Sequence, residues 1–247
     1  REIAAWKKSP ERMAQITGDR YYDGKHDILD RKRTAIGPDG KLQVVDNLPN
    51  NKVIDNQYAK MVDQKTNYLL GKPVTFDCEN DTYSALLKKR FNSAFQRTLK
   101  YLGEDAFNGG LCWLFIYYAE KGVLSFRRFP AYQVLPFWAD DDHTKLDAAA
   151  RLYLQKVWDG ITKKLVERVE LYKPDGIYRY VLDGSTLIPD VELGDYAPYI
   201  TVQGKDGPEA YAWDRFPLIP FKYNKQETPL IMRVKSLQDG INTMLSD

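Results

Sequence analysis

The 247 residues are enough for one large domain or two modest ones, and an apolar share of 43% with 28% charged residues argues against global disorder. The 36 basic and 34 acidic residues nearly cancel to +2, which argues against a dedicated polyanion binder but leaves room for one basic face and one acidic face.

The first half reads as helices. Ser9-Pro10-Glu11 is a start signal: a hydroxyl to cap free amides, a proline pre-set for the first turn, and an acid at the positive end of the helix dipole. The helix it opens is expected to reach about Tyr22 and to break at Gly24, before a polar loop that turns at Gly37-Pro38-Asp39-Gly40. A second helix is expected to open at Pro49 and Asn50-Asn51, with Asp55 in its first turn. It would carry Ile54, Tyr58, Met61, Val62 and Leu69 at helical spacing and close at Gly71 and Pro73. A third begins near Asn80-Asp81 and carries Tyr83, Leu86, Leu87, Phe91 and Phe95; a fourth covers roughly 96–107 and stops at Gly109-Gly110.

After Gly110 the apolar period changes to that of strands. Segments 111–118, 123–129, 133–138, 150–158, 165–172, 177–182 and 185–188 are short and rich in aromatic and β-branched residues. Asp159-Gly160, Asp175-Gly176 and Asp183-Gly184 supply turns that tolerate a positive φ, so the series reads as an antiparallel meander. Residues 189–212 read as an irregular excursion. Thr228-Pro229 opens a final helix with Leu230, Val234, Leu237 and Ile241 on one face. It ends at Ser246-Asp247 with no glycine cap and an acid at the negative end of the dipole, from which a natural continuation of the polypeptide is expected.

Catalytic parts are scarce. Only His26 and His143 are available for imidazole chemistry, and no phosphate loop, dinucleotide glycine motif or G-x-S-x-G elbow is present. Asp140-Asp141-Asp142-His143 is the one stretch readable as a divalent-metal site and hence as a metal-dependent nuclease. Consecutive acids point apart, however, and the spacing is not that of a calcium loop, so a solvated acidic turn is the plainer reading. Arg31-Lys32-Arg33, Lys88-Lys89-Arg90 and Arg127-Arg128 are the basic clusters that a free-standing DNA-binding module would use, though each also fits a solvated face. Cys78 and Cys112 are too few and too far apart for a disulfide framework and read as buried or half-buried thiols of a reducing cytosol. The longest apolar run, 111–119, is short of the roughly 20 residues that span a bilayer. The N-terminal stretch from Arg1 to Lys7 lacks a signal-peptide core, so synthesis in a cytoplasm is expected. No catalytic residue, metal or cofactor is expected.

Several segments stand out together, in this order along the chain. They are Tyr21-Tyr22-Asp23-Gly24-Lys25-His26-Asp27-Ile28-Leu29 followed by Arg31-Lys32, and Asn50-Asn51-Lys52-Val53-Ile54-Asp55-Asn56 leading into Val62-Asp63-Gln64-Lys65-Thr66-Asn67-Tyr68-Leu69-Leu70-Gly71-Lys72-Pro73. Next comes a stretch from Ala106 through Gly109-Gly110 and Trp113 to Pro136-Phe137-Trp138-Ala139-Asp140. The last is Pro217-Leu218-Ile219-Pro220-Phe221-Lys222-Tyr223-Asn224 continuing into Ser236-Leu237-Gln238-Asp239-Gly240-Ile241-Asn242. In this order they resemble the phage portal family of the Gp6-like type, and the resemblance implies a structural ring subunit, usually one of twelve, at one capsid vertex. Its partners would be the terminase large subunit, scaffold and major capsid protein, head-completion and tail connector proteins, and the double-stranded DNA in the channel. It also implies that family members continue past the equivalent of Asp247 into stem, clip and crown, so this chain would be mainly the wing. The expected architecture is α+β: N-terminal helices (1–110) packed on an antiparallel β-rich unit (111–227), with a final helix (228–247) leading toward the stem. Leu230, Val234, Leu237 and Ile241 would pack against further portal elements or a neighbouring subunit.

Overall fold

A computed structural model describes residues 1–45, 47–119 and 122–247 as an α+β protein. A short helix, α1 (Glu2–Trp6), precedes α2 (Pro10–Tyr22), whose cap is Ser9 with its hydroxyl accepting from the Arg12 amide at 3.2 Å. The polar loop holds a hairpin that sequence reading missed, β1 (Thr34–Ile36) paired with β2 (Leu42–Val44) around the expected turn. Strands of three exposed residues bury no face and leave no alternation to read.

Helix α3 (Gln57–Leu70) begins later than expected. Its cap is Asn56, whose side chain accepts from the Ala59 amide at 3.0 Å, and Asp55 lies before the helix. The cause is tertiary: the amides of Val53 and Asp55 are taken by Ser246 Oγ (2.9 Å) and Asn242 Oδ1 (3.3 Å), which holds 50–55 out of the helix. Helix α4 (Asp81–Arg90) is capped by Asn80, and α5 (Ser93–Gly109) by Asn92, which accepts from Ala94 (2.9 Å) and Phe95 (3.3 Å). Phe95 therefore belongs to α5, because Asn92 restarts the helix after a break at Phe91.

The strands after Gly110 are antiparallel throughout and form two main sheets. The first, of three strands, has the order β13-β3-β4, with β3 (Leu111–Ala119) between β4 (Val123–Pro130) and β13 (Leu218–Lys222), which arrives from far along the chain. The second contains β5 (Val134–Trp138), β6 (Leu146–Asp159), β7 (Thr162–Lys173), β8 (Gly176–Asp183), β9 (Thr186–Pro189) and β10 (Tyr196–Ala197). Its order is β10-β8-β7-β6-β5, with β9 also on β8. The excursion read as irregular contains β10 and a separate hairpin, β11 (Ile200–Gln203) with β12 (Pro208–Tyr211). Gly176 does not take the positive φ expected of it. A Cβ there would lie 2.7 Å from the Tyr196 ring and 2.8 Å from the Ala197 carbonyl oxygen, so close packing is what requires glycine.

Residues 111–115 are a continuous apolar run because β3 is buried on both faces. Leu111, Trp113 and Phe115 face the large core with Phe129 and Tyr172, while Cys112 and Leu114 face α5 through Leu102 and Ala106. Burial pushes the Cys112 thiol well above its ordinary range, as expected of an inert packing cysteine. A further core joins Tyr21, Tyr58, Val62 and Phe107 to Leu230 and Ile231 at the start of α6 (Ile231–Ser246).

Gly110 ends α5 in the left-handed region (φ 78°), and a Cβ there would overlap the Glu227 carbonyl. Gly110→Ala is expected to destabilise the fold by more than about 1 kcal/mol. Gly240→Ala, in α6 with open space around it, is expected to stabilise by about 0.5–1 kcal/mol. Urea unfolding of the two variants checks both signs.

Candidate functional site

The final helix carries the residues singled out from sequence. Leu230 is buried in the core of Tyr21, Tyr58, Val62 and Phe107, and Val234 packs partly buried on the same cluster. Ile241 is half-buried, and Leu237 is 69% exposed. The stripe thus enters the chain's own core at its first turn and emerges at the surface afterwards. The buried stripe of the helix is rotated from it by about one residue, roughly 100°, and consists of Ile231, Gln238, Asn242 and Ser246.

That stripe is polar because it docks on backbone. Asn242 Nδ2 donates to His26 Nδ1 at 2.7 Å, and its Oδ1 accepts from Gln238 Nε2 (3.1 Å) and the Asp55 amide (3.3 Å). Gln238 Oε1 accepts from the Tyr58 amide at 2.9 Å, while its Nε2 donates to the Asp55 carbonyl at 2.8 Å. The partners fix the tautomer of His26. Its Nε2 faces the Tyr21 carbonyl at 2.9 Å and must donate, so the neutral ring accepts at Nδ1. The Tyr21 and His26 rings stack at 4.4 Å.

A half-exposed charge cluster borders this network. Lys235 Nζ reaches Asp27 and Asp239, each at 2.6 Å, and the Tyr21 hydroxyl donates to Asp239 at 2.6 Å. Burial works to raise Asp27, but hydrogen bonds from Lys235 and Arg20 hold it down at about 2. Tyr21 is pushed up to about 12 by burial and by Asp239.

The other candidates are structural in their contacts. Asp140 accepts from the Thr144 and Lys145 amides at 2.9 and 3.0 Å and from the Thr144 hydroxyl, bonds that hold its carboxyl below the usual range and staple the loop. His143 stacks on Trp138 at 4.8 Å and bonds Glu227 at 2.9 Å instead of joining the acids. Among the described residues no group of three or more His, Cys, Asp or Glu is placed to hold a metal ion. Arg31 and Arg33 pair with Asp247, so the acid read as unfavourable at the helix end has two cationic partners, and Arg31 above all lowers its pKa. Arg128 pairs with Asp105, and Lys88, Lys89 and Arg90 occupy the last turn of α4, where the dipole favours cations. Sequence reasoning passed over Gln238, Asn242 and Ser246. Their i, i+4, i+8 spacing was the available signal, masked by a search for apolar stripes.

Two outcomes follow from this docking. Asn242→Ala, which strands His26 Nδ1 and the Asp55 amide, is expected to cost about 2 kcal/mol, whereas Leu237→Ala stays within about 0.5 kcal/mol; thermal unfolding compares them. Asp27 has a folded pKa below its ordinary 3.8, so it contributes stability above that value and loses it as pH falls toward about 2. Asp27→Asn is expected to flatten the loss of unfolding free energy between those pH values. The effect is small and shrinks in high salt, because the carboxylate is half-exposed.

The family model for phage portal protein, SPP1 Gp6-like, matches residues 6–247. The portal protein of Bacillus phage SPP1 is 28% identical over 233 residues, which is 94% of this chain and 45% of that protein. The portal protein of Clostridium phage phiCD119 is 23% identical over 238 residues, 92% of this chain and 49% of that protein. The chain thus spans about half the length of the curated relatives it matches. With the match covering residues 6–247, from the last residue of α1 through α6, the chain belongs to the SPP1 Gp6-like family of phage portal proteins.

Proposed function

We propose that this chain is the wing-forming part of a portal subunit, a structural piece of a ring at the unique capsid vertex. The ring is the conduit for double-stranded DNA during packaging and ejection. It is also the docking point for the terminase large subunit, for scaffold and major capsid protein, and for head-completion and tail connector proteins. The observation that carries this reading is the family match over residues 6–247, nearly the whole chain. In the proposed division, 1–110 and 111–227 are the helical and β-rich parts of the wing, and 228–247 leads toward the stem. Assembly takes place in the bacterial host cytoplasm and the product resides in the virion.

The chain's own surface supports a subunit role. The last three turns of α6 leave Leu237, Met244 and Leu245 exposed beside half-buried Ile241, an apolar stripe that water does not favour. Leu237 and Ile241 would pack on further portal elements or on a neighbour, while Leu230 and Val234 fix the helix from inside. A nuclease reading has less support, since Asp140 is committed to its own loop.

Mass measurement of the full-length protein in solution tests the proposal. A ring of about a dozen subunits is expected, with Leu237→Glu lowering its yield; a stable monomer overturns the reading. Sustained cleavage of duplex DNA with magnesium or manganese, abolished by Asp141→Ala, would favour the nuclease instead.

A further inference from the structure

Strands β6 and β7 outrun their neighbours. The pairing of β5 with β6 stops at Arg151, and that of β8 with β7 begins only at Arg168. Between these limits β6 and β7 continue as a two-stranded ribbon to the Asp159–Thr162 pair, and among the described residues no third strand joins it. A lone two-stranded ribbon is marginal in water, and its two open edges are templates for pairing.

One face of this arm is apolar and basic. The register sets Leu154 opposite Glu167, Lys156 opposite Leu165 and Trp158 opposite Lys163, so all six share a face. Glu167 is bound at 2.7 Å by Lys7 of α1, whereas no described carboxylate pairs with Lys156 or Lys163. Lys163 Nζ lies 4.7 Å from the Trp158 ring centre. Trp158 is 65% exposed, and Ile161 at the tip is 96% exposed.

A matching surface lies elsewhere on the same chain. Residues 183–196, covering β9 and the loop after it, contain four acids and no Lys or Arg. Asp190 is buried and, with Glu192, holds Arg168; Asp183 and Asp195 are exposed. Arg179, beside this loop, donates to the Leu193 carbonyl at 2.9 Å, and Arg1 and Lys7 line a cavity with Thr186 and Leu187. Leu187 and Ile188 are half-exposed on opposite faces of β9, and Val191 is 92% exposed.

We propose that the β6–β7 arm of one copy seats Leu154, Trp158 and Ile161 on Leu187 and Val191 of a second copy, with Lys156 and Lys163 facing Asp183 and Asp195. The occupant is a second copy because the chain itself carries a surface of opposite charge and matching apolarity. The two patches are different, so the contact is head-to-tail and repeats until it closes. The inference rests on the ring reading above and names the surfaces that build the ring.

Cross-linking tests it in the full-length protein carrying Cys78→Ser. Ile161→Cys combined with Val191→Cys, treated with a short bis-maleimide, is expected to give a ladder of covalent multimers on a denaturing gel. An equimolar mixture of the two single variants is expected to give dimers, which excludes a link within one chain. A ring of normal mass that yields neither ladder nor dimers overturns this inference and leaves the ring reading standing. Absence of any ring from the unmutated protein overturns both. As a second arm, Lys156→Glu with Lys163→Glu is expected to lower the ring fraction at least about tenfold, and adding Asp183→Lys with Asp195→Lys to restore it. Circular dichroism checks that the charge variants fold. Failure of the compensating pair to restore rings in folded protein also counts against the contact.

Discussion

A backbone segment packed on a helix without a ladder of its own needs partners for its amides from somewhere. The irregular stretch before α3 and the first turn of that helix, residues 53–58, find them on the last helix. Ser246 takes the Val53 amide, Asn242 that of Asp55 and Gln238 that of Tyr58. Much else depends on this arrangement. It delays the start of α3 until Asn56, which then caps α3 and also donates to the Tyr21 and Tyr22 carbonyls at the end of α2. It sets the tautomer of His26, whose ring stacks on Tyr21 and so connects the network to the apolar core. A fully bonded buried network of this kind specifies one geometry more than it adds stability, because any other register of α6 strands several donors at once.

A second joint fixes the direction in which α6 leaves the β-rich part. The amide of Leu230 donates to the Phe107 carbonyl and that of Tyr223 to Gly110, each at 2.9 Å, so α5, β13 and α6 meet at one point. Gly110, His143 and Glu227 all adopt positive φ, and the last two are unusual in doing so without being glycine. They are hydrogen-bonded to each other, and Lys222 bonds both the Glu227 carboxylate (2.8 Å) and the His143 carbonyl (3.0 Å). Strained residues persist where the surroundings over-determine them, and here they brace the root of the final helix.

Much of this was legible from local signals. Ser9 and Asn80 cap helices because the capping chemistry lies within three residues of the cap, and the strand series from 111 to 188 shows in its period and its turn pairs. What was not legible depended on distant partners. The start of α3 is set by residues nearly 190 positions away, as with the Asp55 amide on Asn242. The two-residue β10 and the β11–β12 hairpin are too short or too exposed for a burial pattern. Asp247 looked unfavourable for want of sight of Arg31 and Arg33. The last helix shows the limit most clearly. Its apolar stripe was found correctly as a spacing, but the side that docks is chosen by hydrogen-bonding need, and the apolar stripe is left partly in solvent.

The same distinction between pattern and placement bears on charge. A net charge of +2 over 247 residues suggests an unremarkable surface, yet charge is segregated along the β-rich part. Residues 152–167 carry three lysines against two acids, and 183–196 carry four acids, of which Asp190 and Glu192 are paired with Arg168 and Asp183 and Asp195 are exposed. Such segregation is invisible in a sum, and for the closed ring proposed above it is the useful quantity. Large single-sign excess repels identical copies, whereas near-neutrality with opposite patches on different sides lets each copy attract the next. Near-neutrality, which counts against a dedicated polyanion binder, is thus compatible with the head-to-tail contact proposed above. The apolar residues beside each patch then supply the short-range gain that charge alone, screened beyond about 8–10 Å in salt, does not.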